Sequence, residues 1–160
     1  MTETIELIVN GRAVSIAADE RTPLIDVLRN HLGLMGTRFG CGLEQCGSCA
    51  VLVDGAVVAA CTAPVGSVAG KAITTVEGLG TPDRPHPLQT AILAEQAGQC
   101  GFCLSGILIG AKALLDRNPS PTRAEIAAAL DWHLCRCGMH NRVLSAVARA
   151  AAHMREAATA

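Results

Sequence analysis

Tyrosine is absent from this sequence, and aromatic side chains of any kind are reduced to Trp132, Phe39 and Phe102. A core must therefore rest on Leu, Ile, Val and Ala, and the aromatic platforms on which proteins stack single-stranded nucleic acid are missing. An excess of charge of either sign is missing too: 13 Lys plus Arg stand against 14 Asp plus Glu, for a formal net charge of −1. The chain offers a polyanion no basic footprint, so nucleic acid drops out as a partner. No run reaches the roughly 20 apolar residues that cross a bilayer, the most apolar segment being Leu104 to Leu115. The N-terminus, MTETIELIVNGRAVSI, lacks the basic start and long apolar stretch of a secretory signal. These absences predict a cytoplasmic protein with no transmembrane segment of its own, co-export with a signal-bearing partner staying open.

What the sequence does hold is cysteine, eight in 160 residues, within a composition that is 50% hydrophobic and suited to a folded body. In a reducing cytosol thiols stay reduced, so eight of them point to metal ligation rather than to a disulfide framework.

Periodicity divides the chain. From Ile5 to Val76 the pattern is mostly that of strands: IELIVNGRAVSIA places two β-rich runs about Asn10-Gly11, a pair suited to a tight hairpin turn. AVLVDGAVVAAC repeats that logic about Asp54-Gly55, and KAITTVEGL supplies a further strand. Between the hairpins, Thr22-Pro23 opens a helix with Leu24, Val27, Leu28 and Leu32 at helical spacing and Gly33 as its stop. The expectation is a small mixed sheet with one helix against it. EGLGTPDRPHP then breaks any helix or central strand. Beyond it LQTAILAEQAGQC, LSGILIGAKALLDRN, TRAEIAAALDWHL and NRVLSAVARAAAHMREA carry apolar residues at three- and four-residue spacing, which predicts a compact bundle of four helices. Asn118-Pro119-Ser120-Pro121 ends the second of these, and Thr122 with Glu125 forms a capping box for the third. REAATA reads as a frayed helix end. The division is residues 1–77, a linker at 78–87, and residues 88–160.

The first four cysteines, Cys41, Cys46, Cys49 and Cys61, read C-x4-C-x2-C-x11-C, and the C-x4-C-x2-C portion has the spacing of plant-type [2Fe–2S] ligation. Gly40, Gly42 and Gly47 give the loop the freedom to wrap closely and turn backbone N–H groups toward sulfur. Structural zinc favours paired C-x2-C knuckles, buried free cysteines need no flanking glycines, and GCGLEQCG completes no phosphate loop. The second four are Cys100 and Cys103 in QCGFC, with Cys135 and Cys137 in HLCRCG. Their spacing by itself leaves zinc and an iron–sulfur cluster both open. Each pair falls at the end of a predicted helix, so a bundle brings both pairs to one pole. Arg136, between two of the ligands, is placed to offset thiolate charge, against the plainer reading of a surface arginine.

The two sets in this order resemble the small iron–sulfur subunit of the molybdenum hydroxylases, the xanthine dehydrogenase and aldehyde oxidoreductase family. The resemblance runs through NGRAVSI, TPLIDVLRNHLGLMGTRFGCGLEQCGSCAVLVDG, ITTVEGL, HPLQTAILAEQAGQCGFC and HLCRCG. It implies an α+β chain in which an N-terminal β-grasp domain of plant-ferredoxin type is followed by a C-terminal four-helix bundle domain, each holding one [2Fe–2S] cluster. It further implies a large partner subunit carrying a molybdopterin-type molybdenum cofactor. The Cys100, Cys103, Cys135 and Cys137 cluster then lies nearest that cofactor, with Gln99 and Cys137 facing the pterin, and the Cys41 cluster passes electrons outward. Read without the resemblance, Gln99 is a polar residue at a helix end.

Two departures from the frequent family pattern matter. Leu104-Ser105-Gly106 stands where Thr-Pro-Gly is common, and Gly138-Met139-His140-Asn141-Arg142 where Thr-Gly-Tyr is common. Both look like the nicotinate dehydrogenase and isoquinoline oxidoreductase branch, whose electrons can pass to a cytochrome instead of an FAD-containing subunit, so either is the expected acceptor, and they make His140 a candidate at the subunit contact. Hydroxylation of a heteroaromatic such as nicotinate is the resulting expectation, with aldehydes or purines as the alternative substrates. A freestanding ferredoxin-like carrier and a zinc-stabilised interaction module are the competing classes.

Overall fold

The computed structural model describes residues 3–159. Its first half is a five-stranded sheet built from two hairpins. Strands β1 (Glu3–Val9) and β2 (Arg12–Ala18) pair antiparallel, Glu3 opposite Ala18 and Val9 opposite Arg12. Asn10 and Gly11 join them with φ of 51° and 77°, the left-handed pair that a two-residue turn needs to match strand twist. Strands β3 (Ala50–Val53) and β4 (Ala56–Ala59) repeat the device at Asp54 and Gly55, whose φ values are 49° and 83°. Strand β5 (Ala72–Thr74) runs parallel to β1 and antiparallel to β3, so the order is β2-β1-β5-β3-β4.

Alternation along β1 buries Ile5, Leu7 and Val9, which pack with Ile16, Val51, Val53 and Ile73 against the helix that follows Pro23. That helix is shorter than its apolar spacing predicts. It is α-helical only over α1 (Leu24–Asp26) and widens into a π turn over Val27–His31, Leu32 N–H donating to Val27 O. Leu24, Ile25, Val27 and Leu28 all lose their contact with water, and the chain leaves at Gly33 with φ 68°. Arg29 then donates to Met35 O at 2.9 Å and to Thr37 O at 2.8 Å, holding the approach to the first cysteine loop.

Residues 79–86 form neither helix nor strand. Four helices follow: α2 (Pro87–Ala94), α3 (Leu104–Arg117), α4 (Arg123–Leu130) and α5 (His140–Thr159). The Thr122 and Glu125 capping box forms as expected, Thr122 Oγ1 accepting from Glu125 N–H while the Glu125 carboxylate accepts from Thr122 N–H. A second box, His86 with Gln89, opens α2. Leu88, Ile107, Leu114, Ile126, Val143 and Val147 meet in the bundle's core. The residues expected to fray continue α5 through Thr159: Arg155 donates to Pro119 O at 3.0 Å and Thr159 Oγ1 donates to Glu156 O at 2.9 Å, which ties the last turn down. Among the described residues no helix is long and apolar enough to cross a membrane.

The halves are not beads on a string. Every residue of β3 is buried, because Val51 and Val53 face α1 while Ala50 and Leu52 face the opposite way, onto Ile109 and Ala113 of α3. A strand buried on both faces reads as the unbroken apolar run AVLV. Removing a side chain such as Leu52 or Ile109 from water contributes about 1.5–3 kcal/mol, so this small third core joins the halves firmly. Gly106 permits the approach: a Cβ there would stand 2.0 Å from Gly47 O.

Candidate metal centres

The first four cysteines meet where the loop after α1 runs into the β3–β4 hairpin. Cys41 and Cys46 lie on the loop, Cys49 sits immediately before β3, and Cys61 follows β4. Ala60 N–H donates to Cys49 O at 3.2 Å, which brings the two ends of the hairpin, and therefore Cys49 and Cys61, side by side. Their thiols interact with one another, and Cys46 interacts with both Cys41 and Cys49, so all four form one linked set. The loop turns through left-handed backbone at Gly42, Glu44 and Gly47. Leu43 and Gln45 thereby point their N–H groups at Cys41 Sγ, 3.3 and 3.2 Å away. These two donors lower the Cys41 pKa from 9.0 to about 7. Cys49 shows the reverse, its thiol pushed up to about 12 by burial.

The second four come from two distant segments. Cys100 and Cys103 precede α3, Cys103 standing at its first turn, and Cys135 and Cys137 lie between α4 and α5. The bundle brings Cys137 Sγ to 3.5 Å from Cys100 Sγ and sets Cys103 against Cys135. Here Cys100 is exposed and Cys103 buried, and their thiols are again shifted in opposite directions. Cys100 is held below the ordinary thiol value by the Phe102 N–H and then by Cys137, whereas burial raises Cys103 to about 12. Burial works against ionisation at Cys135 as well, but Met139 N–H, the Cys103 thiol and the Cys137 and Gly138 N–H groups outweigh it and lower its pKa.

Both donor sets suit a two-iron cluster. Each offers four thiols without a disulfide and several backbone N–H groups aimed at sulfur, and the first is also a tight fit, a Cβ on Gly40 standing 2.6 Å from Cys46 Sγ. Among the described residues no three His, Cys, Asp or Glu side chains stand as ligands of a single metal ion, and a [2Fe–2S] cluster shares its four thiolates between two irons.

Gln99 is exposed beside exposed Cys100, on the rim of an open groove lined by Leu93, Gln96, Leu104, Met139 and Arg142. Through the Cys100–Cys137 contact, Gln99 and Cys137 share one edge of the molecule. Leu93 and Phe102 flank it with 77% and 46% exposure, an apolar rim at the second set. Arg136 is exposed and His140 is exposed at the start of α5.

The segment that joins the two sets escaped sequence reasoning. Immediately before Cys135, Trp132 Nε1 donates to Glu44 O, His133 Nδ1 lies 3.2 Å from Gly47 O, and Leu134 N–H donates to Cys46 O at 3.1 Å. The Cys46 carbonyl is thus one hydrogen bond from the residue preceding Cys135. The sequence's own signals there are Trp132, the single tryptophan of the chain, and His133, which opens HLCRCG.

Two family descriptions match the chain: "2Fe-2S iron-sulfur cluster binding domain" over residues 7–71 and "[2Fe-2S] binding domain" over residues 75–148. The chain is 50% identical to a nicotinate dehydrogenase subunit of Pseudomonas putida, covering 94% of this chain and 96% of that one. It is 47% identical to the alpha subunit of isoquinoline 1-oxidoreductase from Brevundimonas diminuta, covering 92% and 97%. Among solved structures, the aldehyde oxidoreductase from Desulfovibrio desulfuricans superposes with a TM-score of 0.93 at 44% identity, over 96% of this chain. The chain spans 17% of that much longer protein.

Proposed function

Because the chain belongs to the family of small iron–sulfur subunits of the molybdenum hydroxylases, electron-transfer parts of multi-subunit oxidoreductases, we propose how its two [2Fe–2S] clusters are held and what they serve. Cys41, Cys46, Cys49 and Cys61 hold one; Cys100, Cys103, Cys135 and Cys137 hold the other. Electrons leave the molybdopterin centre of a large partner subunit one at a time, enter at the Cys100 side and leave at the Cys41 side for a cytochrome or an FAD-containing subunit. The substrate class is a heteroaromatic such as nicotinate. We place the boundary between the two cluster domains at residues 78–87.

The observation that carries this reading is the gathering of eight thiols into two sets joined by residues 132–134. A bound [2Fe–2S] cluster supplies reversible acceptance of one electron. The residues of this chain do the rest. Buried Cys49, Cys61 and Cys103 keep water from one side of each site, and N–H groups aimed at Cys41, Cys100 and Cys135 stabilise added negative charge on sulfur. Gln99 and Cys137, on the exposed edge, are positioned toward the pterin. The apolar rim of Leu93 and Phe102 favours a standing partner over a freely diffusing carrier.

The test is electron paramagnetic resonance of the purified native protein after chemical reduction, with iron, sulfide, zinc and molybdenum analysis and no stripping of co-purifying chains. Two distinct [2Fe–2S] signals, with molybdenum on a larger partner, are expected. Zinc in place of the second signal overturns the relay, and two signals with no molybdenum-bearing partner turn the reading to a free carrier.

A further inference from the structure

Among the described residues few polar side chains are buried, and His133, 3% exposed, is the histidine among them. Its ring is seated between two glycines that belong to different halves of the chain. A Cβ on Gly47, in the first cysteine loop, would lie 2.5 Å from His133 Nδ1, and a Cβ on Gly110, in the middle of α3, would lie 2.4 Å from Nε2. The imidazole thus fills a slot with no spare room on either side. Gly47 O is an acceptor, so at 3.2 Å the ring donates from Nδ1. Its own backbone N–H is spent on Leu130 O at 2.9 Å, which locks residue 133 to the end of α4.

We propose that His133 is a positioning residue: by wedging between Gly47 and Gly110 and donating to Gly47 O, it fixes the distance and orientation between the two cysteine sets. The residue stands two positions before Cys135 and touches the residue after Cys46, so a shift of the ring moves one set against the other. Trp132 and Leu134 add bonds on either side, to Glu44 O and Cys46 O, but both use atoms that any rearranged loop can offer again to water. His133 is buried, so no water replaces a donor lost at Gly47 O, which then keeps Ala50 N–H, at 3.2 Å, as its one remaining donor among those described.

This inference rests on the two-cluster reading, and the experiment separates the two. The native complex is reduced with dithionite, and the magnetic splitting between the two reduced [2Fe–2S] signals is recorded; dipolar splitting falls with the cube of separation and changes with orientation. Absence of a second signal in the unsubstituted protein refutes the two-cluster reading and leaves the seat of His133 aside. With both signals present, His133→Leu, which fills the slot without a donor, is expected to lose the resolved splitting at unchanged iron content. His133→Asn, whose amide nitrogen falls near the place of Nδ1, is expected to restore it. Unchanged splitting in His133→Leu overturns the proposal, and so does equal loss in the Leu and Asn variants. If His133→Leu accumulates without its clusters, His133→Asn against His133→Gln decides: the Gln amide sits one carbon further out, so wild-type splitting in Asn with altered splitting in Gln supports the proposal, and identical behaviour refutes it.

Discussion

The two candidate metal centres each gather four thiols and are built in opposite ways. The first is a continuous loop plus the far end of one hairpin, Cys41 to Cys61, shaped by local backbone: left-handed turns at Gly42, Glu44 and Gly47 and short bonds from Leu43 and Gln45. The second is two pairs whose contacting members, Cys100 and Cys137, are 37 residues apart and meet only because α3, α4 and α5 pack. A site written in local geometry withstands damage elsewhere, whereas a site assembled from helix ends inherits every weakness of the bundle.

The comparison is broken most severely by emptying the bundle's core. Ile126 is fully buried, and Ile126→Ala is expected to cost about 2–5 kcal/mol. On gradual warming, the signal of the second cluster should disappear at a lower temperature than in the unsubstituted protein, and that of the first should fall by less, since it loses only its contacts with α3. Equal loss of both signals would show that the halves unfold as one unit.

Gly106→Ala attacks the junction instead. Its Cβ meets backbone, Gly47 O at 2.0 Å, and backbone does not step aside as a flexible side chain would. About 1–3 kcal/mol of destabilisation is expected, and here both centres should suffer, because α3 is levered off β3. A melting temperature unchanged by the substitution would mean that the halves separate at little cost.

The smallest expected effect is a pH dependence confined to the bundle. His86 Nδ1 accepts from Leu88 N–H at the start of α2, a bond that only the neutral ring can make. Burial, then Lys112, hold its pKa below the ordinary 6.5, with Asp116 opposing them. The fold therefore favours the neutral form: the contribution is complete above about pH 6.5 and is lost as pH falls through the lower folded value. Chemical denaturation across that window should show acid weakening, and His86→Asn, which keeps a cap without a titrating ring, should remove this part of the slope. An identical slope in the variant would exclude His86 as its source.

Much of this was legible in advance where the determinants are short-range. Asn10-Gly11 and Asp54-Gly55 specify their turns through φ > 0 at both central residues, and Thr122 with Glu125 specifies a helix start; neither needs anything from far along the chain. The Cys41 loop belongs with them, its spacing and glycines being contiguous. The second centre was ambiguous by spacing because C-x2-C and C-x-C carry no information about the helices between them. The π turn after α1 was invisible, since α and π backbones present apolar residues at nearly the same spacing over so few positions.

What the sequence determined by itself, then, is local: which segments are strands and helices, where they turn, and which residues carry sulfur. What only the tertiary structure decided is how the halves face one another. AVLV reads simply as an apolar strand, and nothing in it says that Ala50 and Leu52 will lie on Ile109 and Ala113. Gly106 and Gly110 look like weak points in a helix until Gly47 O and the His133 ring are found against them. Such contacts depend on the spatial sum of many turns and packing choices, so the segment from Trp132 to Leu134 acquires its meaning only when Glu44, Cys46 and Gly47 have been folded into place beside it.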